Sequence, residues 1–398
     1  MAAKGVLPIS LRQLACQSFL LSALVVMMVS PVLRGQDMQE PDPQELSHEA
    51  NETLQRGDAA LAVREYYQLL QTHPEIVTAR ANLATALVSL GRFDEAITQY
   101  QLALKEAPSN SSLRFNLGIT YFRKGDFRQA TEQFAALYQK DPSNVRVATL
   151  LANCELHLSQ VAQAIALLEP LEKANPDNLD LEWTLGMALT RAGRPREALK
   201  RVQKVANQGH NAEAYQLAAI LHMGLTDFDM ARRDAETAIR INPHASNAYL
   251  ALAMLNGYSG NEKGAVEEYE KALQANPKNL QAHIQLGVIF YNERKLDDAK
   301  QQFTDALALN PKSFLALYQM ARVERAQGHT EAAVKNLQSC VRENPQWLPP
   351  HIELAAIYYQ LKRPEDGAKE KQIIQQLMAE KQRRGPAPDT VSPLTPLP

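Results

Sequence analysis

A 34-residue spacing of prolines runs through most of the chain and constrains its fold more than any other feature. Two sets of prolines keep this interval: Pro74, Pro108, Pro142 and Pro176, then Pro243, Pro277, Pro311 and Pro345. The two sets are 67 residues apart, two periods less one, and His210 stands where the intermediate proline is expected. A fixed period of this length indicates one small unit stacked many times. The 398 residues are therefore predicted to form a tandem array rather than two or three globular domains.

The segment at residues 116–130, NLGITYFRKGDFRQA, shows what each period contains. Related segments in the same register are NLATALVSLGRFDEA at 82–96, TLGMALTRAGRPREA at 184–198 and QLGVIFYNERKLDDA at 285–299. All four place Leu before Gly or Ala and end on Ala. Leu117, Gly118 and Tyr121 lie at helical spacing, which predicts the apolar face of a first helix.

A second helix is predicted after a turn at residues 124–126, because apolar residues from Phe127 onward recur at intervals of three and four. Small residues at Gly118 and Ala130 let the two helices cross closely, and a leucine at 118 would overpack the crossing by about 1–3 kcal/mol. The closing proline cannot continue the second helix. Since each hairpin leaves a face that the next one covers, the predicted product is an all-α solenoid.

This pattern resembles the tetratricopeptide repeat, a helix-turn-helix unit of 34 residues, from Pro43 to about Lys381. Ten units are predicted to start at Pro43, Val77, Ser111, Val145, Leu179, Ala212, Ser246, Leu280, Phe314 and Leu348. The eighth position holds Gly or Ala in every unit, and the twentieth holds Ala in all but the last, where Gly367 stands. The resemblance implies a right-handed α-solenoid, a superhelix of tandem hairpins, over residues 43–384.

The two ends of the chain differ from the repeats. Lys4 and Arg12 precede 21 uncharged residues, 13–33, as in a secretory signal with a cut after Gly35. The uncharged stretch also reaches the ~20 residues that span a bilayer, so a retained anchor is the alternative. We expect residues 1–36 to be a signal peptide or anchor, 37–42 a linker and 385–398 a disordered proline-rich tail. Either reading of the first segment makes the protein extracytoplasmic, which is periplasmic or secreted in a bacterium.

Composition and motifs give no support to catalysis. The 44 acidic and 42 basic residues nearly cancel, so neither nucleic acid nor an anionic membrane surface is an expected partner. No GxSxG, GxxxxGK[ST], GxGxxG or CxxC motif occurs, and the nine histidines include no pair at the spacing of a helical zinc site. We expect no enzyme activity, no metal and no cofactor. Cys154 and Cys340 are predicted to be small buried residues.

The resemblance also implies where a partner would bind. In this family the second, fifth, ninth, twelfth and thirteenth positions of each repeat line a concave face. Those positions give a set of candidate protein-binding residues: Phe115, Ile119, Phe122, Asn153, Trp183, Met187, Ile220, Met223, Leu250, Met254, Ile284, Val288, Tyr291, Tyr318, Arg322 and Arg325. Asn is common at the ninth position of the family, but most repeats here have an aliphatic residue or Met there. Arg146, Arg123 and Arg191 are further groove or rim positions that could hold a carboxylate.

Apolar residues at the fifth, ninth and twelfth positions lie three and four apart, so they share one face of each first helix. We therefore predict an exposed apolar strip along repeats three and five to eight, of the kind that marks an interaction surface. The alternatives are that the superhelix packs the strip against itself, or that self-association covers it.

The sequence thus predicts an exported, non-enzymatic scaffold that binds an extended or apolar segment of a partner protein along the concave face. The alternative is an accessory or regulatory subunit of an envelope enzyme, or of an export or assembly machine.

Overall fold

Twenty α-helices and no strands make up residues 42–384, the part of the chain that this computed structural model describes. The helices are α1 (Pro43–Gln55), α2 (Ala59–Thr72), α3 (Val77–Ser89), α4 (Phe93–Glu106), α5 (Ser111–Lys124), α6 (Phe127–Lys140), α7 (Val145–His157), α8 (Val161–Ala174), α9 (Leu179–Arg191), α10 (Pro195–Gly209), α11 (Ala212–Gly224), α12 (Phe228–Ile241), α13 (Ser246–Tyr258), α14 (Glu262–Ala275), α15 (Leu280–Asn292), α16 (Leu296–Leu309), α17 (Phe314–Ala326), α18 (Thr330–Glu343), α19 (Leu348–Gln360) and α20 (Pro364–Arg384). The odd-numbered helices begin at the ten residues where the sequence predicts that repeats begin.

The chain divides into two compact units, the first ending at Gly91 and the second beginning at Arg92. In the first unit, α1 contacts α2 and α3, and α2 contacts α3. In the second unit, each helix from α4 to α19 contacts the next one along the chain. First helices of neighbouring repeats are also in contact, in the pairs α7 with α9, α11 with α13 and α15 with α17. The predicted all-α solenoid of tandem hairpins is confirmed. The predicted signal segment and the proline-rich tail lie outside the described residues.

In repeats three and eight, the eighth residue on the first helix lies against the twenty-fourth residue on the second helix, where the two helices cross. Where the twenty-fourth residue is phenylalanine, as in repeats three and eight, the eighth is glycine. A Cβ at Gly118 would lie 2.8 Å from Phe134 Cε1, and one at Gly287 would lie 2.6 Å from Phe303 Cε1. Both rings are fully buried. The glycines are therefore needed because a ring lies against the first-helix backbone.

The turn inside each hairpin places its fifteenth residue in the left-handed region. In repeat three this is Gly125, with φ of 85°. Its N–H donates to the Phe122 carbonyl at 3.0 Å and the Asp126 N–H donates to the Tyr121 carbonyl at 2.9 Å, which is a Schellman motif. Four repeats use other residues at this position, namely Ser159, Thr226, Arg294 and Lys362. The same turn therefore forms without glycine, at a cost of roughly 1–2 kcal/mol per residue.

The turn between hairpins is held by the fourth residue of the following repeat, a contact that sequence reasoning missed. The carbonyl oxygen of the repeating proline accepts a hydrogen bond in several repeats of the described chain. The pairs are Arg80 with Pro74 at 2.7 Å, Arg114 with Pro108 at 3.2 Å, His283 with Pro277 at 3.1 Å and His351 with Pro345 at 3.0 Å. A side chain of one repeat thus satisfies a backbone acceptor left by the repeat before it.

The shortened repeat has a structural cause at His210. Helix α10 runs for 15 residues, one more than α8, and His210 follows it in the left-handed region with φ of 44°. Asn211 then caps α11 directly, its side chain accepting from the Ala214 N–H at 3.0 Å. The connection is two residues instead of the four, 175–178, that join α8 to α9. One residue gained in the helix and two lost from the loop account for the period of 33.

Cys154 and Cys340 are free and buried, as predicted. Burial raises the pKa of each thiol to about 12, so neither is a reactive thiolate at neutral pH. Among residues 42–384, no helix combines the length and the apolar character needed to cross a membrane.

Candidate protein-binding site

The candidate residues do not form the continuous strip that the sequence predicts. Leu250, Met254 and Ile284 are buried, with 1%, 7% and 4% of their surface exposed. Leu250 and Met254 pack with Tyr269 and other residues of repeats seven and eight, and Ile284 packs with Ala306 and Ala316. The prediction that these three side chains are accessible to a partner is wrong. Small alanines on the neighbouring helices allow the close approach that buries them.

The other candidates fall into two groups, one on each side of repeat seven. The first group lies on repeats three to six and is partly exposed: Phe115, Ile119, Phe122, Asn153, Trp183, Met187, Ile220 and Met223. The second group lies on repeats eight and nine: Val288, Tyr291, Tyr318, Arg322 and Arg325. We call the first group the first-helix face, since every member belongs to α5, α7, α9 or α11.

Aromatic rings define the end of the first-helix face in repeat three. The Phe115 ring meets Phe134 edge-on, with centroids 6.0 Å apart, and the Arg146 guanidinium lies 4.8 Å above the Phe115 ring. Phe122 meets Phe127 edge-on at 5.4 Å and His157 at 6.0 Å. These contacts hold the two phenylalanines in place while leaving part of each ring exposed.

Three members of this face, Asn153, Trp183 and Met187, are less accessible to a partner than the sequence suggests. The Asn153 amide donates to the Thr149 carbonyl at 2.9 Å and lies 3.5 Å from the Thr184 hydroxyl, so its N–H groups are engaged within the chain. Trp183 and Met187 pack partly against the core of repeats four to six. The carboxamide oxygen of Asn153 remains able to accept a hydrogen bond from a backbone N–H of a partner.

Most side chains of the second group already make contacts with one another or with neighbouring residues. The Arg322 guanidinium lies 4.4 Å from the Tyr291 ring centroid and donates to Gln319 Oε1 at 2.8 Å. Arg325 forms an ion pair with Glu353. Tyr318 meets Trp347 edge-on, with centroids 4.9 Å apart. A partner reaching this group would have to displace or share these contacts.

Comparison with known proteins bears directly on this fold. Family models described as tetratricopeptide repeat or TPR repeat match residues 84–125, 121–177, 155–221, 217–279, 258–322 and 315–346. These matches run without a gap from residue 84 to residue 346. The chain belongs to the tetratricopeptide repeat family. Tetratricopeptide repeat (TPR) proteins generally bind protein partners, and the fold is typical of non-catalytic scaffolds.

Solved TPR structures share the fold at low sequence identity. The human IFIT1 dimer with m7Gppp-AAAA is 15% identical, and the alignment covers 85% of this chain and 90% of that one with a TM-score of 0.51. A TPR protein from Parabacteroides merdae is 14% identical over 67% of this chain and 98% of that one, with a TM-score of 0.50. No curated protein sequence matches the chain. At these identities the likeness shows the fold alone.

One cluster of titratable side chains in the TPR array lies inside repeat six. His222 Nδ1 is 3.5 Å from Asp227 Oδ2, and its Nε2 is 3.5 Å from Asp234 Oδ2. His222 and Asp234 are 8% and 4% exposed. Within the described residues, no group of three or more His, Cys, Asp or Glu side chains is arranged to hold a metal ion. Because a substrate cannot reach Asp234, the cluster is a packing feature between α11 and α12.

This cluster predicts a pH dependence of stability. Burial raises the pKa of Asp234, opposed by the charge of His222 and a hydrogen bond from Gln203. A carboxyl whose pKa is raised by folding binds its proton more tightly in the folded state, so stability decreases as the pH rises through that raised pKa. Asp234→Asn is therefore expected to be more stable than the wild type at neutral pH, with the advantage shrinking as the pH falls toward 3.8, the ordinary pKa of aspartate.

Urea unfolding of both proteins between pH 4 and pH 8 would measure this difference. Asp229→Asn, which removes an exposed carboxylate from the same helix, corrects for the change in net charge. An advantage of Asp234→Asn that stays constant with pH would contradict the prediction.

Proposed function

We propose that this TPR protein is an exported, non-enzymatic scaffold whose first-helix face binds an extended, partly apolar segment of a partner protein. The observation that carries the proposal is the set of partly exposed apolar side chains on the first helices α5, α9 and α11. Phe115, Ile119 and Phe122 follow at intervals of four and three along α5, and Ile220 and Met223 repeat part of this pattern on α11. Apolar rows of this kind usually mark interaction surfaces, and Met suits surfaces that accept varied sequences.

The export part of the proposal rests on residues 1–36, which lie outside the described structure. A basic start and a long uncharged stretch are typical of a secretory signal or anchor. The non-enzymatic part is supported by the burial of the titratable cluster in repeat six, and by its confinement to one helix crossing.

Paired variants test the face directly. The double variant Ile119→Asp/Ile220→Asp places carboxylates on the first-helix face, at two aliphatic positions that are partly buried. Ile241→Asp is the matched control, because Ile241 is 42% exposed at the end of the second helix α12. Partners crosslinked in the native envelope would be recovered with each protein and quantified by mass spectrometry.

We expect recovery of the specific partner to fall at least about tenfold with the double variant, which corresponds to roughly 1.4 kcal/mol of binding free energy. Recovery with Ile241→Asp should match the wild type. Circular dichroism would confirm that all three proteins are folded. Equal recovery with a folded double variant would overturn the binding proposal, and a chain confined to the cytoplasmic fraction would overturn export.

A further inference from the structure

Three consecutive repeats carry a basic side chain at the same repeat position, in the last turn of the first helix. These residues are Arg123 on α5, His157 on α7 and Arg191 on α9, each 34 residues from the next. We call them the basic rim. Cations in the last turn also interact favourably with the helix dipole, but that effect requires no repetition from one repeat to the next.

Each member of the basic rim is held by a specific contact. The Arg123 guanidinium lies 5.7 Å from the Phe93 ring centroid. The His157 ring stacks on Phe127, with centroids 3.9 Å apart and planes within 2° of parallel. Arg191 Nη1 donates to the Leu156 carbonyl at 2.8 Å. Side chains already fixed in this way lose little conformational entropy when a ligand binds.

The charge of the basic rim is not neutralised within the protein. Among residues 42–384, no carboxylate lies within ion-pair distance of Arg123, His157 or Arg191. Two carboxylates of the same part of the chain are engaged elsewhere, since Asp94 on α4 pairs with Lys124 and Asp126, which caps α6, accepts from the Gln129 N–H. Burial and the positive charge of Arg191 lower the pKa of His157, which places these two side chains in one electrostatic environment. At neutral pH the rim is therefore two arginines around a histidine N–H donor.

The basic rim is continuous with the first-helix face. Phe122, a member of that face, meets both Phe127 and His157 edge-on. Beside that face the Arg146 guanidinium lies over the Phe115 ring, and within the described chain no carboxylate lies within ion-pair distance of it. A segment that laid apolar side chains on Phe115, Ile119 and Phe122 would therefore have cations beside it.

We propose that the first-helix face of repeats three to five selects extended protein segments in which Asp or Glu accompanies apolar residues, with the carboxylates bound by the basic rim. This rests on the proposed function, because it specifies the chemistry of the segment that binds there. Charge complementarity is the reason for an acidic occupant. A protein segment fits better than nucleic acid because the chain carries a net charge of −2 and the face includes the aliphatic Ile119 and the thioether Met187.

A library of random 12-residue peptides displayed on phage, selected against the full-length protein, would test this inference. The rim variant is Arg123→Gln/His157→Gln/Arg191→Gln. The matched control is Lys200→Gln/Arg233→Gln/Arg240→Gln, which removes exposed cations from the second helices α10 and α12. Selected peptides would then be synthesised, and their affinities measured by fluorescence anisotropy at low and high salt, against a 12-nucleotide single-stranded DNA as competitor.

We expect peptides selected by the wild type and by the control to combine Asp or Glu with apolar residues. Their affinity should fall about tenfold with the rim variant, and comparably when their acidic residues are changed to amides, since each exposed charge pair contributes modestly. High salt should weaken binding to the wild type, because salt screens exposed charges. This salt dependence is measured on the wild type, so it tests the inference even if the rim variant fails to fold.

Selected peptides that lose affinity with Ile119→Asp, but show neither acidic enrichment nor salt dependence, would overturn this inference and leave the proposed function standing. Peptides indifferent to Ile119→Asp, or no selected peptides at all, would overturn both. Displacement of the acidic peptides by the single-stranded DNA at equal or lower concentration would overturn the choice of a protein partner and assign the rim to phosphate.

Discussion

Replacing Arg201 with leucine is expected to lower the free energy of unfolding by about 3 kcal/mol, the lower end of the cost of breaking a buried ion pair, because Arg201 and Glu172 are partly exposed. Arg201 Nη2 donates to Glu172 Oε2 at 2.9 Å, and its Nε lies 4.0 Å from Glu182 Oε2. Lys204 Nζ donates to the other oxygen of Glu182 at 3.0 Å. Glu182 is only 4% exposed, so leucine at 201 would leave two carboxylates in a crowded site with one lysine.

Arg194→Leu is the matched control, at the residue that directly precedes the same helix. The Arg194 side chain is more exposed, and it pairs at the surface with Glu197 at 2.7 Å and with Glu169 at 3.4 Å. Surface ion pairs contribute roughly 0–1 kcal/mol, so the control should be nearly neutral. Urea unfolding followed by circular dichroism would compare the two variants. Similar losses for both would show that the network around Glu182 is no more costly to break than a surface pair.

Gly287→Leu is expected to destabilise the protein by about 3 kcal/mol, the upper part of the range for overpacking a filled core. The added Cβ alone would lie 2.6 Å from Phe303 Cε1, and the Phe303 ring is fully buried. Gly257→Leu is the matched control, because a Cβ at that helical glycine has no heavy atom within 4 Å. The control should be neutral or slightly stabilising, since glycine in a helix costs about 1 kcal/mol relative to better helix formers.

Unfolding of Gly287→Leu/Phe303→Ala would show whether the ring is the cause. Removing the ring makes room for the leucine, so the double variant should lose less stability than the sum of the two single changes. Strict additivity would show instead that the backbone of α15, rather than Phe303, resists the larger side chain.

The repeat register was predictable because two constraints recur at a fixed spacing. Proline follows the second helix in eight of the nine connections between repeats, and a small residue at the eighth position allows the helices to cross. Phenylalanine on the second helix occurs with glycine at that crossing, since Phe134 and Phe303 occur with Gly118 and Gly287. Gly186 occurs with Val202 instead, so this pairing accounts for only part of the choice between glycine and alanine. Local rules of this kind depend on one hairpin at a time, and for that reason a single sequence contains them.

Accessibility of the candidate site was less predictable, because burial depends on how closely successive hairpins approach. Helical spacing correctly put Leu250 and Met254 on one face, but it does not say what lies opposite that face. In the structure, α11 and α13 are in contact and Met223 packs onto the cluster around Leu250. The side chains that stabilise the turns between hairpins, such as His351 with its hydrogen bond to the Pro345 carbonyl, were missed. The fourth position of the repeat varies among Arg, His and other residues, so no sequence pattern marks it.

Burial of the apolar residues in repeat seven has a consequence for binding stoichiometry. Because the accessible residues lie on either side of that repeat, a ligand on repeats three to six leaves repeats eight and nine unoccupied. A single partner that engaged both sides would need two short binding motifs joined by a spacer. Its avidity would depend on the effective concentration that the spacer provides, so lengthening the spacer beyond the span would weaken binding without altering any contact.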